Sequence, residues 1–203
     1  MRRNPGFVAL DLGGILLTDP TLGTFWTDIC QGDVDASART RTLWFSSLRE
    51  PFERGEIPET QVWRTLASTA GSRADLVRAA FLDNFVELSH GIDALRACAD
   101  AGLTPVLATN HYAPWLPIWR ERFDWFNLFA TVICSSSIGV RKPDRSFFLA
   151  TLDVCAGTDI GDIPFVDDIP ENVAAASAAG FHGVLGDATG TWRWDVLPHD
   201  QPE

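Results

Sequence analysis

The sequence predicts an α/β fold: a doubly wound parallel sheet with an all-helical segment inserted after the first strand. Three observations carry this. Short apolar runs alternate with amphipathic helical stretches over most of the 203 residues, which is how a parallel sheet covered on both faces reads. The stretch from about 20 to 88 breaks that rhythm and holds only helical spacing. Polar residues fall at the ends of the apolar runs, where open α/β sheets place their ligands.

In chain order, Phe7 to Leu12 (FVALDL) is an apolar run that meets a carboxylate and then two glycines, a buried strand entering a tight loop. In the helical segment, Val62, Leu66 and Ala70 recur at helical spacing, as do Leu76–Val77, Ala80–Phe81, Phe85 and Leu88, and Pro58 before Glu59 marks a helix start. Phe25, Trp26, Trp44, Phe45 and Phe52 read as its apolar core, with one or two lining a pocket. Glu53 and Arg54 are its polar candidates for reading substrate hydroxyls. Ile92 to Ala101 is a helix stopped by Gly102. Leu103 to Ala108 and Ala130 to Cys134 are the second and third strands. Asp144 to Cys155 is a helix with Phe148, Leu152 and Cys155 on one face. Ile163 to Val166 is the fourth strand, Pro170 to Ala179 a helix with proline in its first turn, and Gly183 to Leu185 the fifth strand. The tail, with Trp192, Trp194, Pro198 and Pro202, is expected to pack on the body. The division expected is 1–18 and 89–203 for the α/β core and 19–88 for the helical segment.

Composition narrows the function. Sixteen basic residues against 27 acidic ones give a net charge of −11, which excludes nucleic acid or an anionic membrane as the principal partner. No run approaches the roughly 18 apolar residues of a membrane span. The basic, then apolar start is broken by Asp11 before it reaches signal-peptide length. A soluble cytoplasmic protein, monomer or homodimer, is expected. Cys30, Cys98, Cys134 and Cys155 form no C-x-x-C pair and read as buried reduced thiols.

Four motifs carry chemistry. Asp11 ends the first run (DLGG), Thr109–Asn110 the second (VLATN), Lys142 lies in GVRKPD, and Asp167–Asp168 follow the fourth run (FVDDIPENV). A carboxylate such as Asp11 can be a nucleophile that forms an acyl-phosphate, later opened by water. Mg²⁺ favours one or two carboxylates together with phosphate oxygens and water, and Asp11 and Asp168 supply that pair. Thr109 and the loop amides near Asn110 suit phosphoryl oxygens, and Lys142 neutralises charge between an anionic nucleophile and a phosphate.

The order DLGGIL, VLATN, GVRKPD, FVDDIPENVAAASAAG resembles the haloacid dehalogenase superfamily, in the branch with a helical cap after the first strand; FERGEIPET (52–60) is similar to cap sequence of that branch. The resemblance covers about residues 7 to 186 and implies a Rossmann-like core. It also implies a Mg²⁺-dependent phosphatase acting on a small, sugar-phosphate-like metabolite through an aspartyl-phosphate. By the same resemblance, Asp11 is nucleophile and metal ligand, Lys142 orients Asp11 and the phosphate, and Thr109, helped by Asn110, binds the phosphoryl group. The Gly13 carbonyl and Asp168 complete the metal set. Asp167 and Asn172 stand behind these groups.

One departure matters. Phosphatases of the family usually carry a second aspartate two residues after the nucleophile, and this chain has Gly13. A carbonyl ligand survives there, but the side chain that protonates the leaving oxygen is lost, and such acid–base help contributes ~10²–10⁴-fold. The implied readings are a phosphatase for a good leaving group, as in members similar to sugar-1-phosphate phosphatases; a substitute acid such as His111; or a weak or non-catalytic binding protein. A metal-independent 2-haloacid dehalogenase is the remaining alternative. The adjacent Asp167 and Asp168 disfavour it, and so does the place of the single tyrosine, Tyr112, far from the first motif.

Overall fold

Residues 6–155 and 157–197 are described by a computed structural model; Pro198 and Pro202 lie outside them. Five strands form one parallel sheet: β1 (Phe7–Leu10), β2 (Thr104–Thr109), β3 (Thr131–Cys134), β4 (Pro164–Asp167) and β5 (His182–Leu185), in the spatial order β3-β2-β1-β4-β5. The chain runs outward from β1 through β2 to β3, then returns to lay β4 on the other side of β1. The direction therefore switches between β1 and β4, and the carboxyl ends of strands at such a switch frame a crevice. Side chains alternate across the sheet: Val8 and Leu10 join one apolar cluster and Ala9 the other, so both faces are buried.

Between β1 and β2 lie six helices, α1 (Phe25–Ile29), α2 (Val34–Leu43), α3 (Arg49–Glu53), α4 (Glu59–Ala70), α5 (Ala74–Asp83) and α6 (Ser89–Asp100). Later come α7 (Leu116–Arg122), α8 (Ser135–Ile138), α9 (Arg145–Val154), α10 (Pro170–Ala179) and α11 (Arg193–Val196). A π-helical turn, Trp44–Leu48, joins α2 to α3. In α4, Val62, Trp63, Leu66, Ala67 and Ala70 form the buried stripe. The two connections of the α1–α5 insertion run side by side: the Thr18 N–H donates to the Val86 carbonyl at 2.9 Å and the Leu88 N–H to the Leu16 carbonyl at 2.9 Å. Gly91 of α6 packs against the Ile15 carbonyl where any Cβ would collide.

The insertion has an aromatic core of Phe25, Trp44, Phe52, Trp63 and Phe81 that continues into the β2–β3 connection, where Trp63 stacks on Trp115 at 6.0 Å between ring centres. Phe45 departs from expectation: it is 44% exposed, with the guanidinium groups of Arg41 and Arg49 over its ring. The tail splits, with Trp192 buried and Trp194 exposed under Arg193.

Strand and helix bounds shift by a few residues from those expected, as frayed ends do. The larger omission is between β2 and β3. Short 3₁₀ turns at Ala113–Trp115 and Asp124–Leu128 flank α7 there and bury Trp115, Trp119, Trp125 and Phe126. Pro114 and Pro117 break this stretch into pieces too short to show a helical period. All four cysteines are free and buried. No helix of the described residues is long and apolar enough to cross a membrane.

Candidate active site

The sheet brings the four motifs to one place. Asp11 follows β1, and its N–H donates to the Val166 carbonyl of β4 at 2.9 Å, so the nucleophile candidate sits at the switch in strand order. Lys142 is buried to its tip. Its Nζ lies 2.6 Å from Asp167 Oδ2, 2.8 Å from the Ala108 carbonyl and 2.9 Å from Asp11 Oδ1. Burial works against the ammonium charge, but Asp11 and Asp167 outweigh it and hold Lys142 above the usual lysine range.

Asn110 clasps the backbone that carries this lysine: its Oδ1 accepts the Lys142 N–H at 2.8 Å and its Nδ2 donates to the Lys142 carbonyl at 3.0 Å. The Asn110 side chain is thereby committed to that backbone, and its backbone amide is what remains for a phosphoryl oxygen. Asn172, on α10, is buried and donates to Asp167 Oδ1 at 2.9 Å, and the Ile169 N–H donates to the same oxygen at 2.9 Å.

Thr109, the last residue of β2, is 1% exposed, and its hydroxyl has no partner among the described residues. Asp11 Oδ1 also lacks an aligned hydrogen bond; the 2.9 Å approach of Lys142 is an ion pair without hydrogen-bond geometry. Buried polar groups are satisfied almost everywhere in native proteins. The unpartnered Thr109 hydroxyl, at the strand end next to Asp11, is free to bond a ligand.

Asp11, Asp167 and Asp168 place carboxylate oxygens within 4.8 Å of one another. Although Asp168 is exposed, desolvation by the surrounding protein and then the charges of Asp11 and Asp167 push its pKa up to about 7. A hard divalent cation fits this set, because like charges this close are stable together only when neutralised. Gly14 belongs to the same construction. Its φ is +70°, and a Cβ there would strike the Asp168 carboxylate. Gly13 is the opposite case: a Cβ there would meet nothing within 4 Å, so packing does not impose the departure from the family pattern.

His111 lines the cleft but is poorly suited to supply the missing acid. Enclosed beside Trp119 (4.8 Å between rings) and Phe85 (5.5 Å), it is pushed by burial to a pKa of about 3 and carries no proton to give near neutrality. Glu53 and Arg54 are likewise not free to read hydroxyls. Glu53 is paired with Arg49 and Arg141, both at 2.7 Å, and Arg54 with Asp144 at 2.7 Å.

Above these groups lies a cleft, partly open to solvent. Asp11, Gly13, Thr109 and Asp168 form its floor, and Trp44, Phe52, Phe81, Phe85, Tyr112 and Trp115 supply the aromatic part of its wall. Asp19, Arg49 and Glu53 are its further charged lining residues, and Asp19 and Arg49 were not singled out from the sequence. Nothing local distinguishes Arg49 from the other arginines of the insertion; only the fold turns it inward.

Comparison with known proteins gives the family and the fold. Residues 8–180 match the family model of haloacid dehalogenase-like hydrolases. The chain is 31% identical over 180 residues to the sesquiterpene phosphatase astK of Aspergillus oryzae, covering 86% of each protein. It is 28% identical over 140 residues to the drimenol cyclase drtB of Aspergillus calidoustus, covering 66% of this chain and 26% of that longer one. Among solved structures, a HAD family enzyme of Bacteroides thetaiotaomicron superposes with a TM-score of 0.76 at 18% identity, covering 97% of this chain and 100% of the other. A structure of the same enzyme in complex with magnesium and inorganic phosphate superposes with a TM-score of 0.70 at 18% identity, covering 93% and 97%. A 2-haloacid dehalogenase of Pseudomonas syringae superposes with a TM-score of 0.59 at 20% identity, covering 87% and 84%. The chain belongs to the haloacid dehalogenase-like hydrolases.

Proposed function

We propose that this hydrolase is a Mg²⁺-dependent phosphatase for the monoester of a small apolar alcohol, isoprenoid in class. The observation that carries the reading is the contrast within one cleft. Its floor gathers a nucleophile candidate, a buried lysine, an orphan hydroxyl and an acidic cluster, and six aromatic side chains stand in the wall above them. A hydrocarbon chain laid against those rings gives up no hydrogen bonds. The 31% identity to a sesquiterpene phosphatase supports the same class.

Asp11 attacks phosphorus. A P–O bond forms to its carboxylate, the ester P–O bond breaks, and the alcohol oxygen leaves with the electron pair. Lys142 holds the attacking carboxylate in line and balances charge that would repel the phosphate. Thr109 donates its hydroxyl proton to a phosphoryl oxygen. Asp167, fixed by Asn172 and the Ile169 N–H, holds Lys142 in place. A divalent cation, held by Asp11, the Gly13 carbonyl and Asp168, supplies charge neutralisation when bound. Water then opens the acyl-phosphate. The insertion over residues 19–88 acts as the cap that encloses the chain of the substrate and excludes bulk water.

The test is a panel of prenyl, sugar and aryl monophosphates, with Mg²⁺ and with chelator. Chelator-sensitive turnover favouring prenyl esters is expected, and Asp11→Asn should abolish it. Full activity of Asp11→Asn would remove the assigned nucleophile. Chelator-insensitive halide release from a 2-halo acid would replace the reading with dehalogenation.

A further inference from the structure

The lost aspartate at position 13 leaves the departing oxygen without its usual acid, and His111 is poorly suited to the role. The wall of the cleft offers one other strong donor. Arg49 stands at the start of α3, directly after the π-helical turn, and its N–H donates to the Trp44 carbonyl five residues back. Turns of this width occur frequently at functional sites. The widened turn lets Trp44 and Arg49 both line the cleft, although five residues of regular α-helix would turn them well apart.

Arg49 is also held in position. Its Nε donates to Glu53 Oε1 at 2.7 Å, and its Cζ lies 5.6 Å from the centre of the Phe45 ring. Glu53, itself 6% exposed, takes Arg141 on its other oxygen at 2.7 Å, and Arg141 immediately precedes Lys142. Ser135 further donates to the Glu53 carbonyl. The guanidinium is thus tied through one carboxylate to the loop that bears the active-site lysine. Its two terminal nitrogens make no hydrogen bond among the described residues. Burial opposes its charge, and Glu53, Asp19 and Asp11 outweigh that penalty, so it stays protonated.

We propose that Arg49 is a catalytic residue of the phosphatase reaction: from the cap side it donates hydrogen bonds to the oxygen that leaves, taking over the charge-stabilising part of the role that Gly13 has lost. As the ester P–O bond breaks, the electron pair stays on the alcohol oxygen. The Arg49 N–H groups stabilise the developing alkoxide without giving up a proton, and the proton that completes the alcohol comes from water. Glu53 is a positioning residue for that contact. The proposal rests on the phosphatase reading given above.

Leaving-group dependence tests it. Arg49→Ala and Arg49→Lys are assayed with Mg²⁺ on a prenyl phosphate, whose leaving group is an alkoxide, and on 4-nitrophenyl phosphate, whose leaving group is a stabilised phenolate. Loss of one preorganised donor costs roughly 10²–10³ in kcat. Arg49→Ala should therefore lower kcat for the prenyl ester by about that factor, and at least about tenfold more than for the aryl ester. Arg49→Lys should fall between. Adding Gly13→Asp, whose side chain has open space, should return part of the alkyl activity to Arg49→Ala. Equal losses on both esters in a variant that keeps the melting temperature of the unaltered protein, or a loss confined to KM, would overturn the role of Arg49 and leave the phosphatase reading standing. Absence of Asp11-dependent hydrolysis of either ester by the unaltered protein would remove both. The aryl ester also reports folding, since an unfolded variant loses both activities together.

Discussion

Gly13 and Gly14 are neighbours with opposite constraints. At Gly14 the backbone is left-handed and the Asp168 carboxylate fills the place of a side chain. Gly14→Ala should cost about 1–2 kcal/mol from backbone conformation alone and displace Asp168, lowering Mg²⁺ affinity; thermal melts with and without Mg²⁺ check both effects. Gly13→Ala, placed in open space, should keep a melting temperature near that of the unaltered protein. Both glycines are visible in DLGG, but their difference is not. It arises from Asp168, more than 150 residues away along the chain. The motif residues themselves were legible, because a carboxylate, a threonine and a lysine at successive strand ends have one common use. The fate of Asn110 and His111 was not, since the clasp on Lys142 and the aromatic enclosure depend on long-range packing.

At the scale of elements, α3 is the join between insertion and sheet. Glu53 links Arg49 on its own helix to Arg141 before the active-site lysine, and Arg54 reaches Asp144 just after it. The i,i+4 pair Arg49–Glu53 can be read from spacing; the bonds to Arg141 and Asp144 cannot. Removing one partner of a buried ionic set typically costs about 3–5 kcal/mol; with both arginines partly exposed, Glu53→Ala should destabilise by about 2–3 kcal/mol in urea unfolding. Combined with Arg141→Ala, the losses should be less than additive, as expected for groups that share a partner. Strict additivity would separate the two residues.

For the whole molecule, alternation of apolar runs and helices specified a parallel sheet and its order along the chain. The aromatic wall of the cleft was harder to read, because Phe81, Phe85, Tyr112 and Trp115 come from separate segments that each look like ordinary core. The net charge of −11 acquires a local meaning. Asp168 holds its proton more tightly in the folded protein than its ordinary value of 3.8. The metal-free fold should therefore lose stability as pH rises from that value to about 7, with no further loss from this group above it. Mg²⁺ should raise the melting temperature more at pH 8 than at pH 5.5, since the cation competes with that proton. Calorimetry across this range checks the sign; a larger metal effect at the lower pH would contradict it.

The central claim is that phosphorus is transferred to Asp11. Acid-quenched mixing with Mg²⁺ and a prenyl phosphate, followed by mass analysis of the peptide that contains Asp11, measures it directly. The account predicts a transient mass increase of one phosphoryl group on that peptide, absent with chelator and absent in Asp11→Asn. Steady phosphate release with that peptide never modified, or modification that persists in Asp11→Asn, would contradict it.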